Sequence, residues 1–386
     1  MNIAFITHYN LAKQSKRPSH LIGNFGSSYY MAKSLEKQGE NVTYLSPLIE
    51  GHNFKAKLFN RFYKAIHLKN YAYWAEQSAS KNYARQIEEK ISKIRPDILM
   101  CPHANLIAYL NTNIPLVLWT DSLYRGLLDV FPQGKPSLPS IKDLTKIDKL
   151  ATQKCDLLIF SSDWAAQIAI QQYDVNPTKI KVVPTGANLE SPPNFQEVQQ
   201  NILSKSLEVC KLLFIGVDWY RKGGDIALSI AQRLNQLNLK TELYLVGCQP
   251  PNNERLPNFV HSIGFVDRST RAGQEKIEKL YHESHFLVLP SRSDCTPAVL
   301  REAGAFGLPC ITTNIGGIPS LIRENYNGKM FDLTADISES CEYILHLFKS
   351  KELYQEISLN SYQEYTNRLN WKTAGNKVRD SIIELL

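Results

Sequence analysis

Two acidic residues eight positions apart, Asp294 and Glu302, frame a segment in which strand, loop and helix signals follow one another: F-L-V-L-P-S-R-S-D-C-T-P-A-V-L-R-E-A-G-A-F-G-L-P-C-I-T-T, over 286–313. Carboxylates so spaced suit the gripping of hydroxyls on either side of a phosphate group, and neither needs to be a nucleophile. Upstream, the loop G-V-D-W-Y-R-K-G-G over 216–224 sets Arg221 beside Lys222 among glycines. Two adjacent cations between a strand end and a helix start are placed to neutralise a diphosphate.

The elements that must position these groups are legible around them. The apolar run 286–289 reads as a buried strand, ended by Pro290 and Ser291. Residues 293–296 supply loop and N-cap chemistry, and Pro297 falls where a first helical turn tolerates it. Leu300, Ala303 and Phe306 share one helical face, Gly307 stops the helix, and 309–313 begins another strand. The start of this helix, from Thr296 and Pro297 to Ala298 and Val299, then turns its free N–H groups toward the carboxyl end of a parallel sheet, where anions bind.

The stretch P-S-R-S-D-C-T-P-A-V-L-R-E-A-G-A-F-G-L-P resembles the acidic-x7-acidic motif of retaining GT-B glycosyltransferases of family 4, the glycosyl transferases group 1. Asp294 stands where that family usually has Glu. The family pattern G-R-L-x-x-x-K-G is matched at Gly216, Lys222 and Gly223, with Val217 in place of Arg and Arg221 near enough to compensate. Gly264-Phe265-Val266 resembles the turn whose backbone reads the nucleotide base. The resemblance implies an α/β chain of GT-B architecture, with two Rossmann-like doubly wound domains facing each other across a cleft. Its implied divisions are an acceptor-binding domain at 1–190, a linker at 191–204, a nucleotide-sugar-binding domain at 205–370 and a closing helix at 371–386 that crosses back to the first domain. It further implies a metal-independent, retaining hexosyltransferase acting on a nucleotide sugar, with UDP-glucose or a similar UDP-hexose as the base-rate donor. Arg221 and Lys222 then stabilise the departing diphosphate, Asp294 holds sugar hydroxyls and Glu302 holds the ribose. No cofactor is expected beyond the nucleotide sugar itself, and no D-x-D metal signature is present.

The whole chain is consistent with this. Its 386 residues fit two domains, and 43% hydrophobic with 21% charged residues is an ordinary globular composition. No 18-residue apolar run predicts a membrane span. The start, M-N-I-A-F-I-T-H, reads as a first strand rather than a signal peptide. Seven scattered cysteines with no C-x2-C pair suit a reducing cytoplasm rather than disulfides or zinc. A net charge of +7 decides nothing alone, and nucleic acid is not expected because basic residues are interspersed with acids outside 55–69.

The first half carries weaker signals. Strands are expected at 2–8, 41–46, 97–101, 116–119, 156–160 and 180–184. G-N-F-G-S-S over 23–28 places Gly26 just before a helix, resembling the family's glycine-rich first loop; an ordinary turn is the other reading. Segment 54–69 puts Phe54, Leu58, Phe62 and Ile66 on one helical stripe with Lys55, Lys57, Arg61, Lys64 and Lys69 around it. That pattern suits an anionic membrane surface or a helix covering the sheet. A proline-bearing loop is expected over 126–140. His103 and Asp121 follow strands at the edge where such sheets bind ligands. Many family members carry a His near 120, and Thr120-Asp121 departs from that, so His103 or Asp121 is the acceptor-side candidate. The acceptor itself, a carbohydrate, a lipid or a small metabolite, is left open. So are a non-catalytic nucleotide-sugar-binding or membrane-associated protein and a sugar-nucleotide epimerase on the same fold.

Overall fold

A computed structural model describes residues 1–11, 22–49, 58, 61–62, 76–130, 137–251 and 255–386. Among the described residues twelve strands fall into two six-stranded parallel sheets. The first contains β1 (Asn2–Ile6), β2 (Asn41–Leu45), β3 (Ile98–Cys101), β4 (Leu116–Thr120), β5 (Leu157–Phe160) and β6 (Ile180–Val182), in the order β2-β1-β3-β4-β5-β6. The second contains β7 (Cys210–Gly216), β8 (Thr241–Gly247), β9 (Val260–Gly264), β10 (Phe286–Leu289), β11 (Cys310–Thr313) and β12 (Gly328–Phe331), in the order β12-β11-β10-β7-β8-β9. Helices separate most successive strands, as parallel pairing requires of a chain that must return to the same sheet edge.

The chain divides into two compact units, one formed by most of the chain up to Thr185 together with Ala374–Leu386, the other by Gly186–Thr373. In each sheet the central strands are apolar throughout: Ile98–Cys101, Leu157–Phe160 and Phe286–Leu289 are wholly buried. Such continuous runs are what strands covered on both faces demand. The last helix, Trp371–Ile383, begins in the second unit, and its residues from Ala374 onward belong to the first. There Gly375 lies so near Ser34 that a Cβ would sit 2.9 Å from the Ser34 carbonyl oxygen.

Within the first unit Arg379 Nε donates to Glu40 Oε1 at 2.6 Å, and the Met1 amino group donates to Oε2 at 2.7 Å. Burial pushes the Glu40 carboxyl up, but those two cations together outweigh it and hold it below the usual range. A depressed folded pKa contributes stability that is complete above the unfolded value and is lost as pH falls through the folded one. Glu40→Gln should therefore lower stability by about 1–3 kcal/mol at neutral pH. Denaturant titrations at a series of pH values should show the gap to the wild type closing below the carboxylate range.

Three expectations need correction. Gly26 does not precede a helix: the helix Ile22–Glu36 already includes it, because Phe25, Ser28, Met31, Ala32 and Leu35 form one buried face. Burying that face outweighs the cost of a helical glycine, about 1 kcal/mol. The stretch 191–204 is mostly not a linker. Asn194 and Glu197 form a reciprocal capping box on the helix Phe195–Ser204, and Val198 and Ile202 are buried in the core of the second unit. Nor is 126–140 one continuous loop. Its start lies in the helix Tyr124–Val130, its end in the helix Leu138–Lys154 with Pro139 in the first turn, and 131–136 fall outside the described residues.

Of the stripe in 54–69, Leu58 and Phe62 are exposed, as is Arg61, while Phe54, Lys55, Lys57, Lys64, Ile66 and Lys69 lie outside the described residues. Among the described residues no helix is long and apolar enough to cross a membrane.

Candidate functional site

The strand order of the second sheet reverses between β7 and β10, so the loops leaving their carboxyl ends flank a topological switch point. The loop after β7 is short and tightly held. Asp218 caps the single turn Trp219–Lys222, accepting from the Arg221 amide at 3.0 Å. Gly223 follows with φ +76°, and a Cβ there would stand 2.0 Å from the Pro290 carbonyl oxygen. Only glycine allows both that conformation and that approach. On Gly216 a Cβ would come within 2.9 Å of the Lys222 Cβ and Cγ, so the bare glycine lets the lysine stem lie across the strand end.

From this loop Lys222 Nζ donates to Asp294 Oδ2 at 2.5 Å, and Ser291 Oγ donates to the same oxygen at 3.0 Å. Arg221 Nη1 stands 3.9 Å from that oxygen and donates to the Ser293 carbonyl at 3.1 Å. Asp294 is 7% exposed, so a buried carboxylate and two cations share one corner of the sheet edge. Arg292 braces the arrangement from outside. It makes a two-pronged pair with Asp225 at 2.7 and 2.6 Å, its amide donates to the Arg221 carbonyl at 2.8 Å, and its guanidinium lies 4.0 Å from the Tyr220 ring centre.

Because Gly223 fixes the register between this loop and Pro290, Gly223→Ala should cost about 2–4 kcal/mol, from the left-handed backbone and the clash together. Calorimetric melting of the variant should show it, and unchanged melting would mean that the loop has room the structure does not show.

The helix after β10 spans Ala298–Ala305 with Pro297 at its N-cap, and it ends in Gly307 at φ +64°. Its first amides, at Ala298 and Val299, have no acceptor within the helix by geometry. Arg301, almost wholly buried, ties the helix start in place through Nη1 to the Thr296 carbonyl and Nε to the Gly186 carbonyl, both at 3.0 Å.

Glu302 is fully buried on this helix. Its Oε2 accepts from Arg268 Nη1 at 2.9 Å and from Tyr281 Oη at 3.0 Å, whereas Oε1 has no partner among the described residues. Burial and, after it, the Glu302 charge push the Tyr281 phenol well up, so it stays a donor.

Gly264 ends β9 at φ +73° with open space around it, and Phe265 next to it is 59% exposed. Arg221, Lys222 and Asp294 are thus brought together directly, with Gly216 beneath Lys222 and Thr296 to Val299 on the neighbouring helix start. Glu302 is linked instead to Arg268 and Tyr281, and Gly264 and Phe265 lie at the end of β9. His103 and Asp121 lie in the first unit, after β3 and β4, as does Gly26 within its helix. Arg268, Tyr281, Ser291 and Arg292 were not singled out from the sequence. Ser291 and Arg292 lie inside the segment that carries Asp294, but no spacing rule joins Arg268 to an acid 34 positions away.

Comparison with known proteins places the chain. The model described as "Glycosyl transferases group 1" matches 195–364, and that described as "Glycosyltransferase Family 4" matches 27–191. The chain belongs to this glycosyltransferase family. Among its relatives, the UDP-Gal:alpha-D-GlcNAc-diphosphoundecaprenol alpha-1,3-galactosyltransferase of Escherichia coli is 26% identical over 64% of the chain and 65% of its own length. The sulfoquinovosyl transferase SQD2 of Arabidopsis thaliana is 22% identical over 80% of the chain and 60% of its own length. The match therefore spans less than two thirds of either of these curated glycosyltransferases. Among solved structures, sucrose-phosphate synthase from Thermosynechococcus elongatus superposes with a TM-score of 0.70 at 14% identity, covering 100% of this chain and 98% of that one. Anabaena HepE in complex with UDP gives 0.63 at 15% identity, covering both chains fully. These likenesses establish the GT-B fold of the family member described here.

Proposed function

We propose that this glycosyltransferase is a retaining hexosyltransferase that moves a sugar from a UDP-hexose, UDP-glucose first among them, to an acceptor hydroxyl without a metal ion. The observation that carries the reading is the corner formed by Arg221, Lys222 and Asp294 beside the helix start at Ala298. A relative named for a UDP-sugar donor, and a neighbour of the same fold solved with UDP, support the choice of nucleotide.

In this reading Lys222, Arg221 and the amides of Ala298 and Val299 receive the diphosphate, placing positive charge where negative charge grows as the bond to C1 breaks. Asp294 turns to the sugar hydroxyls once phosphate takes over its cations, and Glu302 accepts from the ribose through its unpartnered Oε1. The backbone turn at Gly264 and Phe265 faces the base. The acceptor oxygen attacks C1 from the face the diphosphate leaves. The C1–O electron pair departs with UDP, and the hydroxyl proton passes to a phosphate oxygen, so the anomeric configuration is retained.

The acceptor is a carbohydrate, a lipid or a small metabolite, and an anionic membrane would be met through 54–69. Seven scattered cysteines with no C-x2-C pair support a cytoplasmic setting. The runner-up is a non-catalytic nucleotide-sugar-binding protein. Melting with UDP in the presence of EDTA, followed by a UDP-glucose turnover assay, separates the readings, since a ligand of the folded state raises the melting temperature. Stabilisation by UDP with no turnover of any nucleotide sugar would favour the binder; stabilisation only on adding Mg²⁺ would remove the metal-free part of the reading.

A further inference from the structure

The first sheet has its own switch point, between β1 and β3, which are neighbours in the order β2-β1-β3. A histidine follows each strand there. The His8 and His103 rings stack with centroids 4.6 Å apart and planes 14° from parallel. Tyr9 sets its edge against both, at 4.6 Å from His8 and 5.9 Å from His103, and the buried Phe25 backs Tyr9 at 5.7 Å. The His103 backbone is fixed as well: its amide donates to Cys101 Sγ at 3.4 Å, and that thiol donates back to its carbonyl at 3.2 Å. Against all this fixing, the Nε2 atom of His103 is buried with no partner among the described residues. A polar atom held so firmly and left unpaired costs stability unless something completes it.

We propose that His8 and His103 form one acceptor-side site, in which His103 Nε2 hydrogen-bonds a hydroxyl of a pyranose ring, Tyr9 meets the apolar face of that ring, and His8 is the positioning residue that holds the His103 imidazole. The proposal rests on the glycosyl-transfer reading and supplies its missing half. Aromatic walls with one or two fixed polar atoms are the usual lining of small-molecule sites. Burial pushes both imidazoles down, His103 to about 3 with the charge of His8 adding to the effect. Both rings are therefore neutral at physiological pH. A nitrogen this weakly basic orients a hydroxyl and does not strip its proton, which agrees with a phosphate oxygen taking the proton instead.

The test uses the full chain labelled with ¹⁵N-histidine and methyl α-D-glucopyranoside as the pyranose probe. Titration with the probe should move the ring resonances of His8 and His103 and leave those of His285, buried in the second unit, unmoved. His103→Gln, which carries an amide near the Nε2 position, should keep the probe-induced shift at His8 and raise the acceptor KM about tenfold, the worth of one weakened hydrogen bond. His103→Phe should abolish that shift while UDP still raises the melting temperature, which shows that the chain is folded. His8→Phe, which keeps a stacking ring, should preserve acceptor KM, whereas His8→Ala should raise it with donor KM unchanged. Neither ring responding to the probe, or His103→Phe transferring with unaltered acceptor KM, overturns the proposal and leaves the transfer reading intact. Ring shifts with the probe but no turnover of any nucleotide sugar would sink the transfer reading and keep the pyranose site.

Discussion

Lys222→Ala should lower kcat/KM for nucleotide-sugar turnover by about 10²–10³-fold, the usual loss when one charge-stabilising donor is removed from a reacting centre. It should also shrink the melting shift produced by UDP. What counts is what Lys222 does before a donor arrives. At 2.5 Å it neutralises Asp294, which is 7% exposed and whose remaining close donor is Ser291 Oγ. Removing the lysine leaves that carboxylate buried with Arg221 at 3.9 Å, so the variant should also lose about 1–3 kcal/mol of stability without ligand.

The two effects can be separated. Lys222→Ala combined with Asp294→Asn should regain most of the stability, because the unpaired charge is gone, yet recover no turnover. Asp294→Asn alone should bind UDP at least as tightly as the wild type, since the carboxylate that competes with phosphate for Lys222 is neutralised, while transfer falls. Calorimetry with UDP across these variants measures stability and binding, and a UDP-glucose turnover assay measures the rest. A UDP shift equal in the wild type and in Lys222→Ala would place the diphosphate elsewhere.

Glu302→Gln should weaken UDP binding by about 10–100-fold, the range for one or two hydrogen bonds to a charged acceptor. The sharper result is a change in discrimination. The wild type should prefer UDP to its 2′,3′-dideoxy analogue, and Glu302→Gln should lose most of that preference, because a site built to accept from hydroxyls rejects the ligand lacking them. Glu302→Ala should behave differently. It strips the acceptor from the Arg268 guanidinium and from the buried Tyr281 hydroxyl, so about 3–5 kcal/mol of stability goes with it. Equal binding of UDP and the dideoxy analogue by the wild type would mean that Glu302 serves only to anchor Arg268 and Tyr281.

Much of the second sheet is written locally. β10 and β11 fall where the apolar run 286–289 and the segment 309–313 place them, whereas β12 carries no such run. That strand is four residues long, half of it partly exposed, and it lies at the sheet edge beside β11, so no strong run marks it. Some misreadings had a signal that was present. Asn194 followed by Glu197 is a capping box, and Val198 with Ile202 is a helical spacing, so the helix in the supposed linker could have been found. Gly26 misled because a glycine followed by serines resembles a helix entry, when the i, i+3, i+4 face from Phe25 to Leu35 is the stronger signal.

By itself the sequence determined the strand-loop-helix unit around Asp294, the glycine loop carrying Arg221 and Lys222, and through them the family, because prolines, glycines and short apolar runs act over a few residues. Only the tertiary structure decided that Lys222 neutralises Asp294, that Arg268 reaches Glu302, and that His8 stacks on His103. Those partners stand 72, 34 and 95 positions apart; the first and third pairs meet because parallel strands that are distant in sequence become neighbours at a switch point, and Arg268, after the edge strand β9, reaches the helix after the non-adjacent β10. No local propensity encodes that neighbourhood; it follows from the order in which the sheet is assembled.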